Sequence, residues 1–255
     1  MNNLPTNFGF SFSSVNTYLT CPQAFYLTYL QKAPRGSSFW GEYGSFCHDI
    51  LQKYFEGNLD IFELADYYKK NYYENVKTSP PPFIKNIHED YYEKGLSFFE
   101  EFDFPKDKYE IINVEEFVRG NYENIGFVMK PDLILIDKTT TSVVLLDYKT
   151  ADLWKKGVFN KKKMQEYKVQ MNLYIYFLRK TKGLQINKVI LWFLRNNKFE
   201  EWDYNAEDEA TALEWFINVA REITLNTDWH PNNDKKNAFF CQHLCSVSSS
   251  CEYKP

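Results

Sequence analysis

Ser142-Val143-Val144-Leu145-Leu146-Asp147-Tyr148-Lys149 runs from the most apolar strand-like stretch of the chain directly into two charged residues on either side of a tyrosine. Fifteen residues before Asp147 stands Asp132, which with Pro131 opens a second apolar run, Leu133 to Ile136. Between the two runs lies Asp137-Lys138-Thr139-Thr140-Thr141, short and polar, so the pair reads as a β-hairpin. That pairing brings Asp132 and Asp147 to one strand end. Two carboxylates and a lysine in such a place suit attack on a phosphodiester, because hard oxygen ligands hold Mg²⁺ against a phosphate and an ammonium offsets developing negative charge. The same triplet could also be an ion pair that closes a hairpin.

Further residues extend the pattern on both sides. Gly44-Ser45-Phe46-Cys47-His48 falls in a stretch, Glu42 to Glu56, where Phe46, Ile50, Leu51 and Tyr54 recur at helical spacing before Gly57. Downstream, Gln170 and Tyr174 share one face of a helix expected from Lys162 to Lys180, ahead of Gly183. Read singly, His48 is a histidine on a helix flank, and Gln170 and Tyr174 are the polar edge of a core helix.

Taken in order, the four elements resemble the PD-(D/E)XK nucleases, in particular the RecB-like branch that includes CRISPR-associated and phage exonucleases. That branch has a G-x3-H helix, a strand with the first aspartate, a strand ending D-x-K and a helix with Q-x3-Y. The resemblance covers nearly the whole chain. It implies an α/β, restriction-endonuclease-like fold: a mixed β-sheet core flanked by helices. It also implies one or two divalent ions, Mg²⁺ or Mn²⁺, on His48, Asp132, Asp147 and the main-chain carbonyl of Tyr148. An imidazole ligand makes Mn²⁺ acceptable as well as Mg²⁺. Lys149 would orient water or stabilise the phosphate, with Gln170 and Tyr174 holding the site or the strand. A glutamate often stands on the preceding strand, here expected from Tyr109 to Val118, and Glu115 is the candidate. One departure is Met129 where many relatives carry a glycine, the nearest one being Gly126.

Five cysteines occur: Cys21, Cys47, Cys241, Cys245 and Cys251. The chain shows no signal peptide and no apolar run near eighteen residues. A cytoplasmic, non-membrane protein of a bacterium or its phage is therefore expected, in which metal binding is a better reading than disulfides. Cys21 with Cys241, Cys245 and Cys251 resembles the iron-sulfur subset of the RecB-like nucleases, which implies a 4Fe-4S cluster. The spacing Cys241-x3-Cys245 is one residue longer than usual there, and His243 lies between them, so structural Zn²⁺ is the alternative. Cys47, beside His48 on an apolar helix, reads as a core residue.

At 255 residues and 44% apolar, the chain can bury a proper core and is expected to form one domain, residues 1–255. Within it, residues 58–105 read as a helical insertion, with Asp60 and Glu63 at capping-box spacing and a break at Ser79-Pro80-Pro81-Pro82. The tail, residues 226–255, lacks periodicity and would lean on its link to Cys21. A net charge of −4 excludes a generally basic nucleic-acid coat. Locally, however, residues 149–168 hold seven lysines against Asp152 and Glu166, a surplus of five positive charges. Lys155, Lys156, Lys161, Lys162 and Lys163, interleaved with Trp154 and Phe159, suit backbone tracking and base stacking. The expected function is a metal-dependent DNA nuclease, an exonuclease by resemblance, with helicase, recombination or CRISPR proteins as partners. Endonuclease or flap cleavage, or a non-catalytic DNA-binding module, are the competing readings.

Overall fold

The computed structural model describes residues 4–5, 7–81, 85–155, 158–231 and 239–254. They form a mixed α/β fold with two compact units, the larger made of Phe39–Phe117 and Lys130–Glu209. Its centre is a five-stranded sheet of β2 (Tyr109–Val114), β5 (Leu133–Asp137), β6 (Val143–Lys149), β9 (Ile186–Phe193) and β10 (Lys198–Asp203), in the order β10-β9-β6-β5-β2. The expected hairpin is β5–β6, antiparallel with Leu133 opposite Leu146 and Ile136 opposite Val143. Strand β6 then pairs in parallel with β9, a connection made by the long helix α6 (Lys161–Lys182). Being paired on both edges and covered on both faces, β6 reads as an unbroken apolar run.

One face of this sheet is closed by α3 (Phe39–Phe55), α4 (Leu64–Asn75) and α5 (Ile87–Glu100). Their fully buried aromatics, among them Tyr43, Tyr54, Tyr68 and Tyr72, pack with Tyr148 and Trp192 of the sheet. Full burial of a large apolar side chain contributes about 1.5–3 kcal/mol, so this cluster dominates the unit's cohesion. The Asp60–Glu63 capping box forms as expected, with Asp60 accepting from Phe62 N–H at 3.1 Å and Asp60 N–H donating to Glu63 at 2.8 Å. Tyr72, Tyr91, Phe98 and Phe99 are buried and serve packing, while Tyr73 is exposed and stacks on His88 and Tyr92.

The smaller unit comprises Met1–Ser38, Val118–Met129 and Ala210–Pro255. Its sheet, in the order β1-β4-β3, joins β1 (Gly9–Phe10) in parallel to β4 (Ile125–Met129), which pairs with β3 (Val118–Tyr122). Around it lie α1 (Phe12–Thr20), α2 (Pro22–Phe25) with a following π turn, Tyr26–Leu30, and most of α7 (Ala206–Leu225). Gly126 is required by this sheet: a Cβ there would stand 2.6 Å from the Phe8 carbonyl oxygen.

Candidate active site

The expected strand from Tyr109 to Val118 breaks in two at Glu115. Its backbone is left-handed (φ 52°), and its N–H donates to the Asp132 carbonyl at 2.9 Å. That turn aims a glutamate inward that strand alternation alone could not have placed. On α3, Gly44 allows the helix to approach the end of β6, since a Cβ there would already lie 3.2 Å from Thr150 Oγ1. One turn later, His48 Nδ1 stands 3.4 Å from Asp132 Oδ1 and 3.7 Å from Glu115 Oε1. His48, Glu115 and Asp132 offer ligand atoms that all lie within 4.8 Å of one another. The other oxygen of Asp132 is fixed by the Tyr148 N–H at 2.7 Å, and the Tyr148 ring meets His48 edge to face.

Asp147 and Lys149 point to the opposite face of β6 from Tyr148, as strand alternation requires. There, Lys149 Nζ pairs with Asp147, donates to Gln170 Oε1 at 3.2 Å and sits 4.7 Å from the centre of the Tyr167 ring. Gln170 Nε2 in turn donates to the Tyr174 hydroxyl at 3.0 Å. The i, i+4 pair on α6 therefore works as a bracket for the lysine. Asp147 Oδ1 is buried, and its contact is the ion pair with the Lys149 ammonium. Three convergent His and carboxylate ligands, with this buried carboxylate beside them, fit a divalent cation.

Electrostatics separates the groups. Burial opposes charge on His48, but Asp132 and Glu115 outweigh it and raise its pKa to about 10. Burial also works against the Asp132 carboxylate, yet His48, Lys149 and the Tyr148 N–H hold it below the ordinary range. At Asp147, burial and then repulsion from Asp132 dominate over Lys149 and His48, and its pKa rises to about 6. Clustered negative charge stabilised by one imidazolium and one ammonium is a setting that a divalent ion would relieve.

Glu115, the candidate glutamate, stands in the tight ligand group, whereas Asp147 lies beside it. One residue was not singled out in the sequence: Lys130, two residues before Asp132, forms an ion pair with Glu115. Of the basic segment, Lys161 and Lys162 are exposed. Lys163 pairs with Glu166 at 2.9 Å and approaches the same Tyr167 ring as Lys149. Lys156 lies outside the described residues, as does the side chain of Lys155. Trp154 packs against Phe159 and Phe193.

In the smaller unit, Cys21, Cys241, Cys245 and Cys251 line one small cavity with Ala24 and Leu27. All five cysteines of the chain are free thiols. Burial and the neighbouring thiols raise the pKa of Cys241 and Cys245. Cys47 is fully buried among the aromatics of the other unit, where burial lifts its pKa to about 12.

Among solved structures, one determined under the name "Putative exonuclease" from Eubacterium rectale is similar at 14% identity, covering 96% of this chain and 88% of its own, with a TM-score of 0.52. SSO0001 shares 17% identity over 76% of this chain and 81% of that one, at a TM-score of 0.34. The first likeness concerns the fold alone. No curated protein matches the chain. The family model of the PD-(D/E)XK nuclease superfamily matches residues 9–252. That span includes every element of the site just built, and the chain belongs to the PD-(D/E)XK nuclease superfamily.

Proposed function

We propose that this nuclease is a divalent-metal-dependent DNA exonuclease of the RecB-like kind, acting on free ends in recombination, replication, repair or CRISPR adaptation. The convergence of His48, Glu115 and Asp132 within 4.8 Å, next to a lysine bracketed by Asp147 and Gln170, carries the reading. His48, Glu115, Asp132 and Asp147 would hold Mg²⁺ or Mn²⁺, with the Tyr148 carbonyl as a further ligand. Bound there, the ion supplies charge neutralisation and Lewis acidity at the phosphate. Lys149, kept in place by Gln170 and the carboxylate of Asp147, holds the attacking water or a phosphate oxygen. The water's oxygen bonds to phosphorus as the bond to the leaving sugar oxygen breaks, and the water's proton passes to solvent or the leaving group. Lys161, Lys162 and Lys163 would track the strand backbone.

The four cysteines support a 4Fe-4S cluster in a structural role. All four line one small cavity of the smaller unit, which brings Cys21 to the three cysteines of the tail. The decisive experiment compares end-labelled linear DNA with covalently closed circular DNA in Mn²⁺, using Asp132→Asn as control. Progressive loss of the linear substrate from its ends, with the circle intact, is the expected result. Cutting of the circle would make the enzyme an endonuclease, and an Asp132→Asn-resistant activity would remove the assigned site.

A further inference from the structure

The nuclease reading employs Lys149 and leaves Lys130 without a task. Lys130 Nζ pairs with Glu115 Oε2, while Glu115 Oε1 faces His48 Nδ1 at 3.7 Å. The partners differ in their access to water: the Glu115 side chain is 7% exposed and that of Lys130 48%. The carboxylate is thus fixed inside the ligand group, and the ammonium reaches it from outside. Lys130 also forms the wall of an open cleft of about 370 Å³ with Ser45, His48, Asp49 and Gln52 of α3 and with Glu115. Asp49 in that wall is already paired with Lys53. Lys130 is therefore the cation at the mouth of the cleft that has a buried partner in the metal group and a side chain half in water. Lys149 stands at the other acid, Asp147. The acids are flanked by an ammonium at each end.

A divalent ion on His48, Glu115 and Asp132 makes the same neutralisation at Glu115 that Lys130 makes without it, and both compete for one carboxylate. From this we infer that Lys130 is the countercharge of the metal-free site and the phosphate contact of the metal-loaded one. Metal binding takes Glu115 from Lys130, and the ammonium, tethered at the cleft mouth, turns to a non-bridging phosphate oxygen of the DNA strand lying in the cleft. Metal loading thereby prepares the DNA site. The inference rests on the nuclease reading and deepens it.

Mn²⁺ titrated calorimetrically into DNA-free protein, and DNA binding measured in non-cleaving Ca²⁺ at several salt concentrations, test it. Lys130→Gln should bind Mn²⁺ roughly 3–10-fold more tightly than wild type, since the competitor is gone. It should also bind DNA more weakly, with a salt slope lower by about one. Lys130→Arg should restore the slope. In a Glu115→Gln background the Lys130→Gln change should no longer alter Mn²⁺ affinity, a coupling that a misfolded variant would not reproduce. Unchanged or weaker Mn²⁺ binding by a Lys130→Gln protein with wild-type melting, or an unchanged salt slope, overturns the inference while leaving a wild-type nuclease in place. Wild-type protein that neither binds Mn²⁺ nor cleaves DNA overturns the underlying reading instead.

Discussion

Asp132 and Asp147 are both buried carboxylates at one strand end, yet their environments drive them apart. The first receives an imidazolium and a backbone N–H, and the second pairs with the Lys149 ammonium. Asp147→Asn should therefore lower cleavage by about 10²-fold or more, since the ammonium loses its counter-anion and the metal an oxygen ligand, while the isosteric amide preserves packing. Gln170→Ala should lower kcat more than it raises KM, because it frees Lys149 on one side without touching the cleft. Single-turnover rates over a range of DNA concentrations up to saturation check both, and near wild-type rates for Asp147→Asn would exclude it from the chemistry. His48, Asp132, Lys149, Gln170 and Tyr174 could be singled out because each belongs to a motif of short-range spacing within one element or one hairpin, and the fold brings these motifs to one strand end. Glu115 was only a weak candidate, since its position depends on a left-handed residue that breaks the strand and resets alternation. Lys130 had no signal of its own, its partner lying across that break.

At the scale of elements, the apolar period decides what can be read. Helices α3 and α6 fall within a few residues of their expected limits, because each presents a long amphipathic repeat. The hairpin β3–β4 was missed. Its turn, Glu123-Asn124, has both residues left-handed (φ 46° and 66°), a geometry usually announced by a glycine that this turn lacks. The hairpin β5–β6 was found, and its turn yields a pH prediction. Asp137 accepts from the N–H groups of Thr139 at 2.9 Å and Thr140 at 3.2 Å, and pairs with Lys108 at 3.4 Å. Burial raises its pKa, but those partners outweigh it and hold the carboxyl below its ordinary value. A folded-state pKa below the unfolded value of about 3.9 means stability present above pH 4 and lost as pH falls through the depressed value. Urea unfolding should show Asp137→Asn less stable at pH 7, with a flatter acid limb than wild type. Parallel curves from pH 7 to pH 3 would show that the charge at this turn contributes nothing.

For the molecule as a whole, the division into two units was not readable from periodicity, because the smaller unit is assembled from three separate stretches of chain. Cys21 and the last three cysteines, singled out together in the sequence, line one cavity of this unit. A metal centre there would close a loop of about two hundred residues, which by analogy with a long disulfide loop constrains the unfolded chain by on the order of 5 kcal/mol. The tail has little apolar periodicity of its own and would depend on that constraint. Anaerobically purified protein should therefore be brown, absorb broadly near about 400 nm and contain several irons per chain. Cys251→Ser, which removes one thiolate, should lose the colour, lower Tm by about 10 °C and expose the tail to protease. Cys47→Ser should keep colour and tail intact, because that thiol is buried and neutral in the other unit. Colourless protein with one zinc per chain would replace the cluster by a site that recruits His243 with the cysteines. Metal-free protein of undiminished stability would remove both, and would leave the cavity between these cysteines as ordinary packing.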